Sequence, residues 1–108
     1  MIGPVVIPDT EEHAVEGPSG PYRLLLSVPP TPPPPGGHAC IVLLDAETCF
    51  ASAAEMLRQG AQWPPTVRIA PAALLGIAYP PPRAAARARR VLDYSAGPPA
   101  AGSLGPGV

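Results

Sequence analysis

The sequence predicts an α/β fold, and three observations carry that reading. Cys40-Ile-Val-Leu-Leu44 is an unbroken apolar run that stops at Asp45. From Glu47 to Gln59, apolar residues recur at helical spacing. A second apolar run, Ala72-Ala-Leu-Leu-Gly-Ile-Ala78, ends at Tyr79-Pro80. Short, continuous apolar runs suit strands covered on both faces, as in parallel sheets with crossover helices. Together the three segments make one strand–helix–strand unit.

Each element follows from local chemistry. Val5-Val-Ile7 is apolar but is cut off by Pro8, and Glu11 to Glu16 reads as a brief edge strand. Gly17-Pro-Ser-Gly-Pro21 is turn chemistry. Tyr22 to Val28 alternates, with Tyr22, Leu24, Leu26 and Val28 on one face and Arg23 and Ser27 on the other. That pattern predicts a strand paired with the preceding segment as a hairpin. Pro29 to Gly37 (PPTPPPPGG) lacks the N–H donors a ladder needs, which predicts a stiff polyproline-like connector. Its functional alternative, a ligand for a proline-reading domain, lacks an adjacent basic residue, the nearest being Arg23.

Phe50, Ala53, Ala54 and Leu57 mark one buried stripe on the helix over 47–59. Thr48 is the candidate N-cap, and Gly60 is placed to end the helix. Trp63, in the loop over 62–66, is expected to cover an edge of the core. Val67-Arg-Ile69 leads through Pro71 into the strand over 72–78. After Pro80-Pro-Pro82, the segment Arg83 to Leu92 (RAAARARRVL) holds strong helix formers and four arginines. Residues 95–108 (SAGPPAAGSLGPGV) show no periodicity and are expected to be disordered. The domain expectation is therefore 1–94, followed by a Pro/Gly-rich tail over 95–108.

Composition bounds the function classes. At 108 residues the chain has room for one small domain. Its 19 Pro and 11 Gly lie in the range of low-complexity chains, yet the apolar residues cluster in 22–28, 40–59 and 67–79. That distribution argues for a short folded region with loose ends. A net charge of −1 supplies no field to recruit nucleic acid or an anionic membrane. The four arginines over 83–92 lack interleaved aromatics and read as a solvated helix face. No apolar stretch approaches the roughly 20 residues of a membrane-spanning helix. Met1-Ile-Gly-Pro4 lacks the basic start of a secretory signal, so a cytoplasmic location is expected. Cys40 and Cys49 fit neither a zinc nor a redox spacing.

Several of these segments, taken in order, resemble the opening of bacterial esterase D-like hydrolases, in particular the ferri-siderophore (enterochelin-type) esterases. Ile7-Pro-Asp-Thr-Glu-Glu-His-Ala14, Tyr22-Arg-Leu24 with Val28-Pro29, and Pro34-Pro-Gly-Gly37 match its amino-terminal region. LLDAE (43–47), FAS (50–52) and LGIAYP (75–80) stand where that family carries LLDGN, Phe-Ala-Thr and VGIGYP, and Asp93-Tyr94-Ser95 resembles its DYT. The likeness runs over residues 7–95. It implies a partial α/β-hydrolase sheet, a leading hairpin followed by the strand–helix–strand crossover. It also implies a parent that hydrolyses carboxylic esters, ferric siderophores among them, without a metal or organic cofactor.

Such hydrolases work through Ser, then Asp or Glu, then His, with the serine on a G-x-S-x-G elbow. The serines here are Ser19, Ser27, Ser52, Ser95 and Ser103, and none lies in that motif. Ala101-Gly-Ser-Leu-Gly105 is a near miss without a preceding apolar strand, so Ser103 reads as a tail serine. His13 and His38 come early, whereas the family's catalytic histidine comes late; both read as loop or edge residues. No catalytic residue is therefore assigned. Asp45 and Glu47 could bind a metal or act as acid and base, but acids at a strand end also favour the dipole of a starting helix, and that bland reading is preferred. The resemblance implies one contribution, an oxyanion N–H from the backbone of Glu47, although Ala46 replaces a glycine there and alanine resists positive φ.

The strand order implied by the resemblance leaves Cys40–Leu44 as an exposed apolar edge, which self-associates or pairs with another chain. The leading expectation is thus an amino-terminal fragment of a serine esterase, cut by truncation, a frameshift or an incomplete gene, inactive alone and marginally folded. The alternative is a small non-catalytic interaction module using the Pro-rich connector or the open sheet edge. A third is a subunit complemented by a separately encoded carboxy-terminal half.

Overall fold

The computed structural model describes residues 2–94, so the tail expected over 95–108 lies outside the described residues. Six elements follow in order: β1 (Thr10–Gly17), β2 (Gly20–Ser27), β3 (Ala39–Leu44), α1 (Ala46–Gly60), β4 (Ala72–Ala78) and α2 (Arg83–Asp93). The strands form a four-stranded sheet in the order β1-β2-β4-β3. β1 and β2 are an antiparallel hairpin, β2 runs antiparallel to β4, and β3 runs parallel to β4. The parallel pair is the expected strand–helix–strand unit, with α1 as its crossover. None of the described helices is long and apolar enough to cross a membrane.

Register decides which side chains share a face. Leu25 lies opposite Gly76 and Ile41 opposite Leu74, so Leu25, Leu74, Gly76 and Ala78 point to one side. α1 packs there and contributes Phe50 and Ala54, with Ala53 and Leu57 partly buried beside them. The helical stripe read from the sequence is thus the stripe that is buried. Close approach is possible because Gly76 has no side chain. A Cβ at that position would stand 2.6 Å from the Ala46 Cβ and 2.9 Å from Phe50 Cδ1.

The opposite face carries Leu24, Leu26, Leu75, Ile77, Val42 and Leu44, and no helix covers it as α1 covers the first. Leu24, Leu26, Leu75 and Ile77 are half-buried, while Val42 and Leu44 are exposed. The alternation in 22–28 was therefore correct, but the fully buried residue is Leu25, which shares its face with Arg23 and Ser27.

Five local expectations need correction. α1 is capped by Asp45, whose backbone is left-handed (φ 53°), and Thr48 instead lies in the first turn, its hydroxyl donating to the Asp45 carbonyl at 3.3 Å. Gly60 is the last helical residue, but the C-cap is Ala61 in a right-handed conformation. Glycine is needed at 60 because a Cβ there would meet Ile69 Cδ1 at 2.5 Å. Trp63 is exposed, and only its backbone is engaged, its carbonyl accepting from Arg68 Nε at 2.9 Å. The connector is not a straight rod: Gly37 N–H donates to the Pro34 carbonyl at 2.8 Å, and His38 Nε2 lies 3.2 Å from the Thr31 carbonyl. Finally, two of the four arginines over 83–92 are engaged rather than free, as the site shows.

Candidate functional site

Ligands of open α/β sheets gather outside the carboxyl ends of the parallel strands. In this chain that place is the step from β3 into α1. Leu44 is the last strand residue, Asp45 turns the chain with its left-handed backbone, and Ala46 begins the helix, 1 % exposed. The left-handed conformation thus falls on Asp45, a residue type that tolerates it, and not on Ala46. The loop geometry doubted at Ala46 is met one residue earlier.

The turn is held by charge. The Asp45 carboxylate faces Arg90 of α2, with Oδ1 2.7 Å from Nε and Oδ2 accepting from Nη2 at 3.0 Å. That pair occupies the carboxylate that a metal or acid–base reading of Asp45 and Glu47 would require. Glu47 is the second residue of α1, exposed, with its side chain in the first turn. The first N–H groups of a helix have no intrahelical acceptor, so the Ala46 and Glu47 amides can donate outward. An open depression of about 280 Å³ lies beside them, lined by Asp45, Glu47, Thr48, Arg83, Ala86, Arg87 and Arg90. Among the described residues it contains no nucleophile–histidine pair. One backbone donor site is what the arrangement can offer chemically.

A second depression of about 160 Å³ opens at the other end of the sheet, between Pro29–Thr31 and the end of α1. It is mainly apolar and includes no residue singled out for chemistry. His13 lies on β1 beside Glu11 (3.0 Å), and His38 lies in the connector; the structure joins neither of them to a serine.

What the sequence did not reveal is a polar cluster built around Asp93. Its Oδ2 accepts from Tyr22 Oη at 2.7 Å, from Tyr79 Oη at 2.7 Å and from Ser19 Oγ at 3.1 Å. Arg89 lies over both tyrosine rings, 4.5 and 4.7 Å from their centroids, and donates from Nε to Ser19 Oγ at 3.0 Å. It also donates to the Pro21 carbonyl. The Tyr22 and Tyr79 hydroxyls hold the Asp93 carboxyl below the usual carboxylate range. Burial, followed by the bond to Asp93, pushes the Tyr79 phenol well above its ordinary value. The cluster ties the hairpin turn, the end of β4 and the end of α2 together. Ser19 already donates to Asp93 and receives from Arg89, and no histidine reaches it, so the cluster positions α2 rather than activating a nucleophile. The one sequence signal for it was Asp93-Tyr94-Ser95, which carried a likeness but no role.

No family model matches the chain, and no curated protein matches it either. Solved structures do. The BES protein from Bacillus cereus superposes with a TM-score of 0.69 at 23% identity, over 76% of this chain and 31% of that one. The siderophore hydrolases EstA and EstB from Aspergillus nidulans superpose with TM-scores of 0.60 and 0.59 at 22% and 19% identity. EstA matches over 83% of this chain and 33% of its own; EstB over 73% and 29%. The chain therefore spans about a third of the length of the structures it resembles. In fold it is α/β, with a partial α/β-hydrolase sheet made of the leading hairpin and one strand–helix–strand crossover.

Proposed function

We propose that this chain is the amino-terminal part of a serine esterase, and that alone it does not hydrolyse esters. The observation that carries the reading is the step from β3 into α1. A left-handed Asp45 places helix-starting amides at the carboxyl end of a strand, in a sheet ordered as in the larger hydrolase-like structures. Two of those structures are siderophore hydrolases, which supports ferric-siderophore esters as the substrate class of the whole enzyme. A cytoplasmic setting belongs to the same proposal.

In that enzyme, a serine supplied elsewhere attacks the ester carbonyl and charge develops on its oxygen. The Glu47 N–H donates to that oxygen, stabilising the transition state more than the ground state. Losing one oxyanion donor costs about 100- to 1,000-fold in rate in well-studied hydrolases. A donor without a nucleophile, in turn, yields no acyl-enzyme.

The test is an assay of the purified chain on p-nitrophenyl acetate. The expected result is turnover at the buffer rate, unchanged by Ser103→Ala. Turnover abolished by that substitution would place a working nucleophile in 95–108 and overturn the proposal. Reading the DNA beyond the Val108 codon in all frames adds a second check. A G-x-S-x-G codon string followed later by His supports the esterase; its absence over several hundred bases favours a non-catalytic interaction module using the open edge of β3.

A further inference from the structure

β3 is the free edge of the sheet, and its six residues, Ala39–Leu44, include neither a charge nor a proline. Those are the usual devices that keep an edge from pairing with another strand. Ile41, Val42 and Leu44 are 45%, 57% and 50% exposed. α1 packs chiefly against β4 and β2, so it leaves room beside the edge. With a net charge of −1, two copies repel each other little.

We propose that a second copy of this chain docks on this edge, β3 against β3, across a two-fold axis normal to the sheet. The two strands then run antiparallel inside one continuous sheet. The axis fixes the register. It keeps each residue on its own face, and directly opposed residues of an antiparallel pair share a face, so opposed positions must differ by an even number. Centring on Ile41 sets His38 against Leu44, and centring on Leu43 sets Asp45 against Ile41. Centring on Val42 opposes Ile41 to the partner's Leu43 and Cys40 to the partner's Leu44. Side-chain size rises along β3 from Ala39 to Leu44, so this register places small residues opposite large ones and fills the seam evenly. The same size gradient would leave a gap at one end of a parallel pairing. The surface follows from the sheet edge alone and stands or falls separately from the esterase proposal.

Cys40 makes the register measurable. In a Cys49→Ala background, Leu44→Cys sets two thiols opposite each other across the seam, where opposed Cα atoms sit about 4.5–5.5 Å apart, within disulfide range. Within one copy, positions 40 and 44 are roughly 13 Å apart along the strand, too far to bridge. Light scattering on size-exclusion fractions should show dimer mass rising with concentration. Oxidation should yield a dimer whose peptide map contains the 40–44 linkage. Val42→Lys should lower the dimer fraction at least tenfold with unchanged circular dichroism, since Val42 is exposed. Leu75→Gln, on the uncovered face, should leave the dimer intact. A monomer at every concentration overturns the proposal. So does an assembly that tolerates Val42→Lys, or one that forms no 40–44 linkage.

Discussion

At the residue scale, Asp93 does the most with the least sequence signal. Three hydroxyls from Ser19, Tyr22 and Tyr79 converge on one carboxylate oxygen, and the Arg89 guanidinium lies over both tyrosine rings. Tyr79 is 3% exposed, so removing its acceptor leaves a buried hydroxyl unpaired, a loss of about 1–3 kcal/mol. Asp93→Ala should therefore lower the urea midpoint, whereas Arg83→Ala on the same helix should not. The pH dependence has a definite sign. The folded Asp93 carboxyl titrates below its unfolded value of about 3.9, so its stabilisation is complete above that pH and fades as pH falls through the folded value. The stability gap between the native chain and Asp93→Asn should accordingly be steady near neutrality and close in acid. A gap that persists unchanged at pH 2 would show that the carboxylate charge is not what the hydroxyls recognise. Asp45 teaches the complementary lesson. Its left-handed backbone was invisible in the sequence because attention fell on Ala46, where the resembling family has glycine; Asp tolerates that conformation and frees the next residue to be helical.

At the element scale, α1 and β4 set the geometry of everything else. Ala46 and Gly76 are the small pair that lets the helix cross the strand closely. Gly76→Ala would force the Ala46 methyl or the Phe50 ring to move, and overpacking of this kind costs about 1–3 kcal/mol. Ala46→Gly in the same chain opens the space again, at a helix cost of about 1 kcal/mol. A double-mutant cycle on urea midpoints should thus give a favourable coupling between the two substitutions. Additive losses would mean that α1 shifts as a rigid body without meeting Gly76. All six elements were legible in the sequence, because each apolar run is flanked by Pro, Gly or an acid. The boundaries and caps were less so. Gly60 looked like a left-handed terminator, but tertiary contact with Ile69 explains it, and no local pattern reports such a contact. In 22–28 the three consecutive leucines hid which face is the core, since alternation is equally satisfied by Leu25 or by Leu24 and Leu26. That choice depends on where α1 lands. The functional candidate at Glu47 was reached through likeness rather than through spacing.

At the scale of the whole molecule, the sheet is covered on one face and open on the other. Leu74 sits under α1 at 1% exposure, and its neighbour Leu75 points the opposite way into the row with Ile77, Leu24 and Val42. A sheet with an apolar second face is built for burial on both sides, and this chain alone buries one. The imbalance can be read by substitution. Leu74→Ala opens a cavity in the covered side and should cost about 2–5 kcal/mol. Ile77→Thr keeps the β-branched shape and the strand preference while removing apolar surface that is already partly wet, so it should cost well under half as much. The same substitution should reduce the fluorescence of a dye such as ANS, because the uncovered row is where an apolar dye can lie. Equal losses for the two substitutions, with no change in dye signal, would mean that both faces are packed in solution and that something covers Leu24, Leu26, Leu75 and Ile77. Because the dimer across β3 extends this row without covering it, the dye signal should persist when the edge is paired and vanish only when the open face itself is buried.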